Sequence, residues 1–189
     1  MKRIALAAAL AAAVATVPAA AAESYSLDAR HTFPSFEVMH LGYSLQRGRF
    51  NRTSGKITLD PAARKGSVEI TIDAASVDTG LDKLEEHLRN EDFFNVAFYP
   101  TITFKGDQFA FDGDKVKSVT GNLTMLGVTK PVTLTATHFR CADHPMAKKK
   151  ACGGDFVAPI KRTDFGMKYA VPAVADEVKL LIQVEAFKD

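Results

Sequence analysis

The chain has 189 residues, 47% of them apolar, with 24 Lys+Arg against 22 Asp+Glu and no tryptophan. Its two excess positive charges are Lys2 and Arg3, at the very start. The remainder is neutral with histidine uncharged, which gives no electrostatic case for a nucleic-acid or anionic-membrane partner.

Lys2-Arg3 open a secretory leader. Ile4 through Val17 form an Ala-rich apolar stretch, and Ala20-Ala21-Ala22 matches the small-residue cleavage pattern. The stretch falls short of the roughly 20 apolar residues of a spanning helix. Residues 1–22 are therefore expected to be a cleaved signal peptide. Residues 23–189 then remain, 167 residues, the size of one domain with an adequate core. Periplasmic or secreted location follows, and an integral membrane protein is not expected.

After Glu23, Phe36, Val38 and His40 alternate with Glu37 and Met39, the mark of a half-buried strand. Gly48 and Gly55 interrupt a long strand from Gln46 to Leu59, as bulges or bends would. Val68, Ile70 and Ile72 alternate with polar residues. A different pattern follows: Leu81, Leu84 and Leu88 recur at helical spacing, Thr79 is placed to cap, and Glu85 and Arg89 stand four apart in the favourable order. Phe93, Phe94, Val96, Phe98 and Tyr99 form an aromatic cluster that Pro100 terminates. Such a helix reads either as core filler at a helix–strand junction or as a lid over one barrel end.

Period two resumes at Ile102 and Phe104, then at Val119, Leu123 and Met125, at Val132 and Leu134, in a short strand at Phe156–Ile160, and at Leu180, Ile182 and Val184. Arg162 and Asp164 share a turn and read as a structural ion pair, with phosphate binding as the alternative. About eight antiparallel strands with one polar face mean a sandwich or a barrel, and closure removes exposed edges. The expected fold is all-β: an eight-stranded antiparallel barrel with one short inserted α-helix. Such a barrel is either filled by its side chains or holds one small ligand, and the periodicity does not choose.

Cys141 and Cys152 bracket the loop CADHPMAKKKAC. Export favours a disulfide between them; the rival is a metal site with His144. No GxSxG, HExxH, CxxC, P-loop or GxGxxG motif occurs, so no catalytic residue, metal site or cofactor is expected. Inward parity makes His40 either a buried, satisfied histidine, a contact for a ligand's polar end, or a metal ligand, and His31 could converge with it near one rim.

The segments LDARHTFPSFEVMHLGYSLQRGRFNRTSGKITLD, SVEITIDAASVDTG, HLRNEDFFNVAFYPTITF, VTGNLTMLGVTKPVTL, IKRTDFGMKY and DEVKLLIQVE follow one another from about Tyr25 to Glu185. In this order they resemble the YceI-like family throughout. Pro34 and Asp82-Lys83 depart from the family's usual residues. The resemblance implies a periplasmic or secreted protein with an elongated, lipocalin-like barrel. It would hold a polyisoprenoid lipid of the isoprenoid quinone or prenyl pyrophosphate class, without an established catalytic activity. The expected lining is then Phe36, Val38, Ile70, Ile102, Phe104, Leu123, Leu134, Leu180 and Ile182. His40 and Arg162 are head-group candidates; Leu84, Leu88, Phe93 and Phe94 form the lid. The expected partners are the isoprenoid lipid and, at most, a second copy in a homodimer. The alternatives are an enzyme acting on such a lipid and a stress-induced interaction protein with a solid core.

Overall fold

Val68, Ile70 and Ile72 turn toward the interior while Glu69 faces solvent, and this two-residue period shapes nearly every segment. The computed structural model describes residues 22–189; the expected leader thus falls almost wholly outside the described residues. Eleven strands form: β1 (Glu23–Leu27), β2 (Phe33–His40), β3 (Ser44–Phe50), β4 (Thr53–Asp60), β5 (Lys65–Asp73) and β6 (Val77–Asp78). After the helix α1 (Asp82–Arg89) come β7 (Thr101–Asp112), β8 (Lys115–Met125), β9 (Val128–Asp143), β10 (Lys150–Lys161) and β11 (Val174–Lys188).

Eight of these close a ring of antiparallel neighbours, β1-β4-β5-β7-β8-β9-β10-β11 and back to β1. β11 is long enough to hold two partners. Its last residues pair with β1 (Leu27 opposite Ala186), whereas its first half pairs with β2 (Leu180 opposite Phe36). β3 and β6 then continue the wall beyond β2.

Two breaks make this switch. At the first, the Asp28 N–H donates to the Glu185 carbonyl at 2.8 Å. Thr32 Oγ1 donates to that same carbonyl at 3.2 Å and accepts from the Glu185 N–H at 3.1 Å. Asp28 and Thr32 are both buried, and the chain bends about them. At the second, the N–H of Asn51 meets the carbonyl of Ser76 and the N–H of Arg52 meets Ser76 Oγ, each at 3.0 Å. The expected single strand from Gln46 to Leu59 is therefore two, parted at Asn51–Arg52 and not at its glycines. Gly48 lies in mid-strand beneath the ring of Phe36, where a Cβ would collide with it.

The helix also differs from its sequence pattern. Leu81 takes the N-cap position with no side-chain cap bond. Glu85 instead ties down the turn that leads into the helix, accepting from the N–H groups of Thr79 at 2.9 Å and Gly80 at 3.2 Å. Its other oxygen accepts from Arg89 at 3.2 Å, the ion pair read from the spacing. Leu88 is buried and Leu84 partly so, but Leu81 is exposed. Phe98 is 79% exposed as well, because the chain turns at Asn95, whose φ is 44°, and carries the end of the aromatic cluster outward.

Candidate functional site

Inward alternation from the strands leaves a tunnel along the barrel, in two chambers. The upper chamber, of about 170 Å³, lies at the end carrying α1, the β2–β3 turn and the segment from Arg162 to Ala173. The lower, of about 90 Å³, lies toward the chain termini. All nine residues named from strand parity border the upper chamber: Phe36, Val38, Ile70, Ile102, Phe104, Leu123, Leu134, Leu180 and Ile182. Val68, Val119 and Val184, which share the inward parity, border the lower one. Left unfilled, an apolar cavity the size of the upper chamber would cost about 4 kcal/mol at roughly 24 cal/mol per Å³.

The lid residues divide. Leu88, Phe93 and Phe94 border the upper chamber, and Leu84 packs against the surrounding core. Phe94 meets Phe50 edge-on, with ring centroids 5.3 Å apart. His87 and Phe93 clasp Tyr169 from across the barrel end, at centroid distances of 5.1 and 5.4 Å. His87 Nε2 also lies 2.9 Å from Asp92.

Arg162 is the one charged side chain among the described residues bordering the upper chamber, and it is 3% exposed. Its guanidinium does not pair with Asp164. Nε donates to the carbonyl of Ala175 at 2.9 Å, Nη1 to those of Tyr169 at 2.7 Å and Met167 at 3.5 Å, and Nη2 to that of Val174 at 3.0 Å. Burial lowers its pKa from the ordinary arginine value, and nearby Asp176 opposes that. Asp176 itself accepts from the N–H and hydroxyl of Thr163, each at 2.9 Å, and its carboxyl is held below the usual range, chiefly by the backbone donor. The result is a fixed cation at the wall of an apolar chamber, wrapped by carbonyls of the following loop (Met167, Tyr169) and of the start of β11 (Val174, Ala175).

His40 is elsewhere. It is exposed at the last residue of β2, where the register with β11 shifts between Val174 and Val178 and the strand runs past the chamber wall. Nor does it converge with His31. The eight residues of β2 separate the two by about 25 Å, and His31 is bound to Asp28 at 2.8 Å beside the first break.

The cysteines lie in strands. β9 runs to Asp143 and β10 starts at Lys150, so Cys141 and Cys152 face each other in register, bonded to one another with Cα atoms 4.1 Å apart. Both thiols are thereby used, which takes them from the alternative metal set with His144. Cys152 borders the lower chamber.

Sequence pattern missed Phe50, Met167 and Val174 on the upper wall. Phe50 stands at the second break, and Met167 and Val174 reach the wall through a turn and a strand end, where parity carries no signal.

A closed antiparallel barrel with a lengthwise apolar tunnel is a cavity-bearing barrel, of the class that can enclose one small ligand. The chain belongs to the YceI-like domain family, whose sequence model matches residues 25–186. It is 40% identical over 193 residues to a UPF0312 protein of Pseudomonas aeruginosa, covering 100% of this chain and 99% of that one. It is 42% identical over 171 residues to protein YceI of Escherichia coli O6:H1, covering 88% and 87%. Its fold matches the crystal structure of Burkholderia cenocepacia BcnA with a TM-score of 0.73 at 29% identity, over 84% of this chain and 98% of that one.

Proposed function

We propose that this protein is a binding protein that holds a long-chain polyisoprenoid lipid in its tunnel, as a carrier, a store or part of a stress response. The observation that carries the reading is the tunnel itself, lined by apolar side chains along both chambers with one buried cation, Arg162, at the lid end. An apolar chain in this space gains roughly 25 cal/mol per Å² buried, less the entropy of ordering it. Arg162 suits a polar or anionic head group, as in an isoprenoid quinone or a prenyl pyrophosphate. A polyisoprenoid binding domain from Saccharophagus degradans shares the fold, with a TM-score of 0.64 at 19% identity. Export to the periplasm with removal of residues 1–22 belongs to the same proposal.

The alternative of an enzyme acting on the lipid has lost His40 as a residue near the head group, since that side chain faces solvent. Extraction of natively purified protein with organic solvent, followed by mass spectrometry, tests the proposal. A stoichiometric polyisoprenoid is expected; an extract without one, from protein that also takes none up from vesicles, overturns it.

A further inference from the structure

Five side chains, Pro34, Ile70, Phe104, Leu134 and Ile182, border both chambers. They form a waist between about 170 Å³ above and about 90 Å³ below. Phe104 is the largest of them, and its ring lies against the neighbouring strand because position 121 is glycine: a Cβ there would stand 2.8 Å from Phe104 Cζ. The same Cβ would stand 2.6 Å from the Cα of Gly106, the cross-strand partner of Gly121. Removing the side chain at 121 leaves the wall thin enough to take the ring.

The lower chamber has a distinct character. No charged side chain borders it among the described residues, and its two side-chain hydroxyls are already engaged. Tyr25 donates to Glu23 at 2.5 Å, and Thr32 is tied to the backbone of Glu185. A ligand's polar end has no donor or acceptor to meet there, whereas Arg162 on the upper wall brings a positive charge and one Nη2 N–H beyond those given to the four backbone carbonyls.

We infer that the waist selects ligands by chain length: the head stays in the upper chamber, and only a long tail threads past Phe104 into the lower one. This rests on the polyisoprenoid reading above and adds to it a direction of insertion and the residues that measure length. The waist adds nothing to the binding of a prenol short enough to stay above it. A long prenol gains the lower chamber's apolar surface only if the passage is open.

The test uses the full secreted protein, delipidated and titrated with farnesol and with solanesol, occupancy being read by extraction and mass spectrometry. Ile182→Phe and Leu134→Phe narrow the waist, Phe104→Leu widens it, and Leu123→Phe adds the same bulk to the upper wall alone. The waist-narrowing variants are expected to weaken solanesol by roughly tenfold or more, the scale of a misplaced methylene or larger group in an apolar pocket, and farnesol less, since Leu134 and Ile182 also border the upper chamber, so that the ratio of solanesol to farnesol binding falls. Phe104→Leu should shift the preference toward solanesol, and Leu123→Phe should weaken both. Circular dichroism melts establish that each variant is folded, and any one folded narrowing variant suffices. If wild type binds neither prenol, the polyisoprenoid reading fails. If wild type binds them and the folded waist variants keep its ratio of solanesol to farnesol, that reading stands and the waist inference is overturned.

Discussion

The backbone carbonyl of Tyr169 accepts a hydrogen bond from Nη1 of Arg162 at 2.7 Å. The ring of the same tyrosine packs on His87 and Phe93 of the lid segment. The buried cation of the upper chamber and the closure of the barrel end are thus joined through a single residue, and two predictions follow from the two sides of it.

On the cation side, Arg162→Met strips four carbonyls of a buried donor at once. At about 1–3 kcal/mol per unsatisfied buried group, partly relieved by relaxation, a loss of about 3 kcal/mol or more is expected in urea unfolding. Arg162→Lys should recover only part of it, because one ammonium cannot span carbonyls that a planar fork reaches separately. A methionine variant within 0.5 kcal/mol or so of wild type would contradict the assignment, since that is the range of ordinary surface substitutions.

On the lid side, Tyr169 is 48% exposed, so Tyr169→Ala removes the clasp at little expense to the core. Aromatic pairs of this kind contribute about 0.5–1.5 kcal/mol each. Lipid release, followed by transfer to acceptor vesicles, should quicken several-fold in this variant, and in the Leu84→Ala/Leu88→Ala double variant, while the melting temperature of the tyrosine variant falls only slightly. Unchanged release with lowered stability would make the helix core filler.

At the opposite end, Glu23 accepts from Lys150 at 2.6 Å, Tyr25 at 2.5 Å and Lys188 at 2.9 Å. These bonds, Lys150 foremost, lower its pKa from 4.5 to about 2. The folded value lies below the unfolded one. The stabilisation is therefore complete above pH 4.5 and disappears as the pH falls toward 2. Glu23→Gln should lower stability at neutral pH and flatten that acid limb; parallel pH profiles for variant and wild type would refute the link. Burial and the bond to Glu23 both raise the pKa of Tyr25, so its phenol should stay protonated through the ordinary tyrosine range.

Thiol titration of denatured, unreduced protein should find no reactive thiol, because both cysteines are bonded. Closing a loop of that length is worth about 3 kcal/mol in the chain-entropy model. Reduction should lower stability on that scale and leave a folded barrel. Two thiols per chain in the unreduced sample would contradict the bridge.

Much of this architecture was legible because strand alternation is local. Val68 through Ile72, Val119 through Met125 and Leu180 through Val184 reveal their inward faces without reference to anything distant, and those faces border the tunnel. The breaks were not legible. The first depends on Asp28 and Thr32 meeting Glu185, a partner 153 residues away from Thr32, and no local pattern encodes that. Gly48 and Gly55 suggested bends because glycine is flexible, yet Gly48 serves to leave room for a ring on the neighbouring strand. Arg162 suggested a pair with Asp164 by proximity in sequence. Its partners are carbonyls of the loop that follows and of the first residues of β11, which side-chain chemistry alone does not announce. Leu81 and Phe98 completed attractive local patterns and then faced outward, since helix phase and turn direction are settled by the barrel they rest on.

The central claim, a barrel that carries one polyisoprenoid, is tested most directly by native mass spectrometry of the intact protein after incubation with polyisoprenoid-containing vesicles and separation from them. The account predicts a mass increment of one lipid per chain that survives gentle activation and is released on denaturation. A spectrum showing only the bare chain, from folded protein, would contradict it.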